Sequence, residues 1–228
     1  MRRAILIGAI CVAACGEHGA TPPIDAAPLV DAPPCTNVVF LNRAGGTYTP
    51  GSDDATTNKS SVIGSAPRTI EPFPYADSVW SAIKTCVTDA LTPYGATVTD
   101  VDPATAPHHE IVFTTAYWGS GPGVVTTSAA RCPSGGLPAY GVAFVFSQTI
   151  GPETTYTCEL ALMQLGAEIA GLDQATNCSD YMGSLLPACS SRSYLDKDVT
   201  CGDSVARDCH CGGTTQNSHR AISAALCQ

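Results

Sequence analysis

The run Leu160-Ala161-Leu162-Met163-Gln164-Leu165-Gly166-Ala167-Glu168-Ile169-Ala170-Gly171-Leu172-Asp173-Gln174 organises the reading of the whole chain. Between Leu160 and Gly171 only Gln164 and Glu168 are polar. They stand four apart and so share one face of a helix. A helix that is apolar on nearly every side belongs in a core, so two polar groups on it face an internal polar site or a cleft. Glu168 is therefore expected to be at least partly buried, with desolvation raising its pKa. Gly171 permits a sharp turn out of the helix. Gln174 follows three residues later, and Met182 eight further on, within Cys178-Ser179-Asp180-Tyr181-Met182.

Outward from this helix, which the pattern extends over Glu153 to Leu172, the elements alternate. Val38 to Leu41 reads as a first strand, and a Gly- and Asp-rich loop runs to about Pro74. Asp77 or Ser78 caps a helix with Val79, Ile83, Cys86, Val87, Ala90 and Leu91 on one face, ended by Pro93 and Gly95. Thr97 to Val101, Glu110 to Trp118 and Gly141 to Phe146 read as strands, the last the most apolar. Gly119-Ser120-Gly121-Pro122-Gly123 joins Trp118 to Val124-Val125-Thr126. With no lysine and no following helix it reads as a hairpin rather than a phosphate loop. Ser218 caps a short terminal helix. This order predicts an α+β domain with a mixed sheet.

The spacing around Gly171 resembles that of the metzincin metallopeptidases, His-Glu-x-x-His-x-x-Gly-x-x-His followed by a Met-turn. Aligned on Gly171, the glycine, the Gly171-Leu172-Asp173 turn and Met182 match. The three ligand positions hold Gln164, Glu168 and Gln174, and the base position holds Leu165. The strand order before the helix is also similar. Cys178-x-Asp180-x-Met182, Cys201-Gly202 and Cys209-His210-Cys211-Gly212-Gly213-Thr214-Thr215-Gln216-Asn217-Ser218-His219 resemble exported bacterial metzincin-like proteins. The resemblance covers most of residues 35 to 228. It implies a zincin-like twisted mixed sheet with two long helices and a Cys-rich irregular C-terminal part. It also implies that no catalytic residue, metal ligand or cofactor remains. Leu165 cannot take a proton from water, and two amides with one carboxylate make a poor zinc set. Gln164, Glu168 and Gln174 are expected to bond one another and fill the vacated site.

The N-terminus points to export. Met1-Arg2-Arg3 is a short basic region, and Ala4 to Ala14 is an apolar run too short to span a bilayer. Val12-Ala13-Ala14-Cys15 resembles the lipobox of bacterial lipoproteins. That resemblance implies a signal peptide over 1–14 and acylation of Cys15, with membrane attachment through lipid at the cell envelope. Residues 15–34 repeat an Asp-Ala-Pro theme and read as a disordered tether, because they lack the apolar residues that would offset ordering entropy. Residues 35–228 form the body. Loss of Arg2 and Arg3 leaves 9 basic against 20 acidic residues, a net charge of −11. That balance argues against nucleic acid as a partner.

Ten cysteines remain in the body: Cys35, Cys86, Cys132, Cys158, Cys178, Cys189, Cys201, Cys209, Cys211 and Cys227. An even number in an exported domain reads as disulfides. Cys178 and Cys189 bracket Met182 closely enough to pair, and Cys35 is expected to reach a tail cysteine. Cys209 and Cys211 should bond elsewhere, since a bridge across one residue is strained.

Other polar clusters carry less. His108 and Glu110 share a strand face with His109 on the other, which suits the polar start of a strand better than a metal site. His210 between two cysteines suggests a zinc knuckle, against which an oxidising compartment weighs. His219 is expected to cap or decorate the last helix. Three functions follow as expectations. The first is a lipid-anchored, metzincin-like pseudoprotease that binds a peptide or protein. The others are an envelope hydrolase with a different site and a structural envelope lipoprotein.

Overall fold

Alternating side chains along the strands sort the core into two layers, one on each face of a five-stranded sheet. The computed structural model describes residues 36–115, 117–118, 126–129, 131–132, 137–148, 150–184, 189 and 191–227. All of them fall within one compact unit, Pro33–Gln228. In chain order the elements are β1 (Val38–Asn42), β2 (Gly46–Pro50), β3 (Lys59–Ser60), β4 (Arg68–Ile70), α1 (Asp77–Leu91), β5 (Thr97–Thr99), β6 (His109–Thr114), β7 (Thr126–Thr127), β8 (Val142–Phe146), α2 (Thr154–Ala170), β9 (Val199–Thr200), β10 (Thr215–Gln216) and α3 (Ser218–Ala225). The protein is α+β with mixed sheets. The main sheet has the order β5-β1-β6-β8-β7. Its first four strands are parallel, and β7 runs antiparallel along β8.

The helical face buries Val39, Leu41, Ile111, Phe113 and Val145 against Trp80, Ile83, Val87 and Leu91 of α1, most of α2, and Ile222 of α3. The opposite face packs Val112, Val142, Phe144 and Phe146 against Tyr48, Ala55, Ile63 and Ile70. The last four come from the segment expected to be a loop. It instead carries a second sheet, ordered β3-β2-β4. Its strands are two to five residues long and rich in Gly, Thr and Pro, too short for a period-two pattern to show.

Boundaries move for identifiable reasons. α1 begins after Ala76, with no side-chain cap. Asp77 lies in the first turn and pairs with Arg43 at 2.7 Å. Asn217, not Ser218, caps α3 by accepting from the Arg220 amide. β6 stops at Thr114, and Trp118 lays its ring edge-on against Phe144 and Phe146. The strand expected over Thr97 to Val101 stops at Thr99. The expected hairpin at 119–123, the 1–34 segment with Cys15, and Cys35 with its expected bridge lie outside the described residues.

Four bridges are described: Cys86–Cys158, Cys132–Cys211, Cys178–Cys189 and Cys201–Cys209. Cys227 is disulfide-bonded as well. Disulfides at this density belong to an oxidising compartment and are consistent with export. Among the described residues no helix is long and apolar enough to cross a membrane.

Candidate functional site

The site is built on the C-terminal half of α2. Its residues Leu160, Ala161, Leu162, Leu165 and Ile169 are buried in the main core, which leaves Met163, Gln164 and Ala167 as the strip facing a cleft. Gly171 takes a left-handed conformation, φ 65°, and returns its N–H to the Gly166 carbonyl. The Leu172 amide donates to the same carbonyl. Gly166 also meets the Met182 segment closely. A Cβ there would lie 2.9 Å from Met182 Sδ and 3.2 Å from Leu172 Cδ1. A larger residue there would require the Met182 thioether to shift.

Met182 is held from several sides. Its amide donates to the buried Asp180 carboxylate at 2.9 Å, and Ser218 Oγ donates to the other oxygen at 2.7 Å. The Ala175 amide donates to the Met182 carbonyl. Arg192, 1% exposed, donates to the carbonyls of Asp180, Gly183 and Ser184 and pairs with Glu159. Tyr194, buried, donates to the Leu162 carbonyl at 2.6 Å and fastens this turn to α2.

Gln164, Gln174 and Met182 line one cleft of about 310 Å³, together with Thr126, Thr127, Ser128, Met163, Ala167, Leu172 and Asp173. Glu168 does not line it. Its carboxylate, at 0% exposure, accepts from the Ala129 amide at 2.7 Å, while Gln164 Oε1 accepts from Ser128 Oγ at 2.8 Å. The expected bonds among Gln164, Glu168 and Gln174 are not made; the chain after β7 takes their place. This strap continues to Arg131, which pairs with the buried Asp53 at 3.1 Å, and to Cys132, bonded to Cys211. Nothing in the residues 126–132 marks them as a strap in sequence. Its contacts are all to residues distant along the chain.

Glu168 sits where Gly141 leaves room, since a Cβ at Gly141 would lie 2.6 Å from Glu168 Cγ. Burial pushes the Glu168 carboxyl up to about 8, and the nearby Asp53 charge adds to this. The Ala129 amide and the Arg131 guanidinium pull the other way. Its Oε1 has no hydrogen-bond partner among the described residues. At neutral pH the group is mainly protonated. Leu165, at the position aligned with a general base, is 1% exposed and lies in the apolar core.

Asp173 joins this end of α2 to the tail. It takes two bonds from Arg207, accepts from the His210 amide at 2.7 Å, and exchanges backbone bonds with the Gln216 side chain. These contacts hold its carboxyl below the ordinary range in spite of desolvation.

On the far face of the sheet, β6 alternates as expected. His108 rests edge-on against Phe40, while His109 faces the other way and accepts from the Gly141 amide at 3.1 Å. Burial lowers His109 to about 4, which keeps it neutral. Glu110 is more than a polar strand start. It is 2% exposed and accepts from Tyr48 Oη at 2.6 Å and Asn42 Nδ2 at 2.8 Å. Burial raises it to about 7, against the lowering effect of both donors. Asn42 and Tyr48 were not legible as its partners, because both stand in the stretch after Leu41 read as a Gly- and Asp-rich loop, 68 and 62 residues from Glu110. His219 does not cap α3; its Nδ1 lies 2.9 Å from Tyr94 Oη. No family model, curated protein or solved structure matches this chain.

Proposed function

We propose that the body is a metzincin-like scaffold that has lost metal-dependent peptidase chemistry and acts as a lipid-tethered binding module. Supporting the scaffold are the parallel strands with an antiparallel edge strand, the long helix ending at Gly171, and Met182 tucked under Gly166. The single observation that carries the loss of chemistry is the strap. It turns Glu168 inward to the Ala129 amide and engages Gln164 through Ser128. The three aligned positions therefore do not present a donor set fit for zinc, which needs nitrogen, sulfur or free carboxylate ligands around an open position. No hydrolytic step is drawn through them.

What remains is a cleft lined by hydroxyls, amides and the thioether of Met182. Such a surface matches the alternating donors and acceptors of an extended peptide backbone beside the edge strand β7. Peptide-library binding to the folded body tests this. Ala167→Arg, which fills the cleft from the helix, should abolish the binding. Binding that survives the arginine, or hydrolysis that a chelator stops, would overturn the reading. The tether to the envelope rests on the Cys15 pattern. Cys15→Ala should move the protein to the soluble fraction or stall its processing.

A further inference from the structure

Among the described residues, one set of three metal-type ligands comes close enough to share an ion: Cys132, His210 and Cys211. Their ligand atoms lie within 4.8 Å of one another. Two of these atoms are the sulfurs of the Cys132–Cys211 bridge. We infer that this bridge is a reversible lock whose dithiol form, with the His210 imidazole, binds a soft divalent cation of the zinc class. The site is separate from the cleft.

Three observations carry it. First, both sulfurs belong to half-buried residues and His210 is exposed. By contrast Cys158, Cys201 and Cys209 are buried, which shields two of the other bridges from a reagent; Cys178–Cys189 is half-buried too, but among the described residues no histidine completes a three-ligand set with it. Second, the ligands are placed in advance. The His210 amide is pinned by Asp173, itself clamped by Arg207. Cys209 and Gly212 close the flanking turn through their amides. Cys132 is held through the strap at Ser128, Ala129 and Arg131. Opening the S–S bond leaves these supports intact, and a preorganised set is what a metal site needs. Third, two sulfurs and one imidazole nitrogen are three of the four ligands of a tetrahedral zinc site, with water able to supply the fourth.

The chemistry balances as follows. A dithiol reductant gives up two electrons and two protons and becomes a disulfide. The Cys132–Cys211 bond accepts them and becomes two thiols. Cation binding then releases both thiol protons to solvent, so uptake strengthens as pH rises. The sequence suggested Cys209 and Cys211 around His210; the fold replaces Cys209, committed to Cys201, with Cys132 from 79 residues upstream of Cys211.

The test uses the complete folded body, reduced in steps by a phosphine that is removed before Co²⁺ is added. Alkylation and peptide mass at each step identify which bridge opens. The expected result is that Cys132 and Cys211 are alkylated before the buried bridges Cys86–Cys158 and Cys201–Cys209, and that one Co²⁺ then binds with thiolate-to-cobalt absorption and is displaced by Zn²⁺. The oxidised protein should bind none. His210→Ala keeps every cysteine and should weaken Co²⁺ binding at least about tenfold, since even outer-shell partners are worth that much. The paired variant Cys132→Ser with Cys211→Ser should show no thiolate absorption. A buried bridge opening first, no uptake after reduction, or equal affinity in wild type and His210→Ala would each overturn the inference.

Discussion

The two faces of the main sheet each bury a glutamate near neutrality, and they do so by different means. On the helical face Glu168 is covered by a strap, met by the Ala129 backbone amide and influenced by the Arg131–Asp53 pair. On the other face Glu110 is met by two side-chain donors, Tyr48 and Asn42, which come from neighbouring strands of the same chain segment. The helical face is stapled by Cys86–Cys158 between α1 and α2, whereas no described bridge touches residues 36–85. The helical face is joined covalently between its two long helices, whereas the other face packs the β2–β4 layer on the sheet and has the Asp53–Arg131 ion pair as its charged link to the strap. The cleft lies on the fastened side.

The largest effect expected from breaking this contrast is at the staple. Replacing Cys86 and Cys158 together by Ser frees a loop of 72 residues and should cost about 4 kcal/mol in chemical unfolding. A loss under about 1 kcal/mol would mean that α1 and α2 are held by packing alone.

The two glutamates make the sharper comparison. Each has a folded pKa above its ordinary value, so the folded protein holds the proton to higher pH than the unfolded chain. Each therefore weakens the fold progressively above about pH 4.5. The loss is complete near pH 8 for Glu168 and near pH 7 for Glu110. At pH 9, Glu168→Gln should be clearly more stable than wild type, and Glu110→Gln by a smaller margin. At pH 4 both gaps should nearly close, because a neutral acid is then compared with a neutral amide. Gaps that do not depend on pH would show that neither carboxyl is held neutral by burial.

Gly141→Ala should cost about 2 kcal/mol, because its Cβ meets Glu168 Cγ at 2.6 Å and Ile169 Cγ2 at 3.1 Å. It should also loosen the Ala129 contact, readable as faster amide exchange at Ala129. The smallest effect belongs to the other face. Tyr48→Phe removes one donor to Glu110 and should cost about 1 kcal/mol. Asn42 still reaches the carboxyl, whose pKa should rise further by NMR titration.

The all-round apolar run of α2, the turn at Gly171, the alternation of His108, His109 and Glu110, and the proximity of Cys178 to Cys189 were legible because each depends on local spacing. The helix period places Gln164 and Glu168 on one face wherever the helix lies. A short loop closes readily whatever surrounds it. The β2–β4 sheet was missed because strands of two to five residues carry no usable period. The caps lie one or two residues before Asp77 or Ser78 in α1 and one before Ser218 in α3, a choice made by tertiary partners: Asp77 is drawn to Arg43 and Ser218 to Asp180.

By itself, then, the sequence determined the α+β class, the core helix and its polar pair, the disulfide-rich character and the burial of Glu168. All of these follow from periodicity, composition and desolvation. Tertiary structure alone decided that the strap, not Gln174, meets Gln164 and Glu168, that Asn42 and Tyr48 meet Glu110, and that Cys132 joins His210 and Cys211. Each of these contacts brings together residues more than about thirty positions apart. Local spacing does not encode such contacts; they exist only after the sheet order has been chosen.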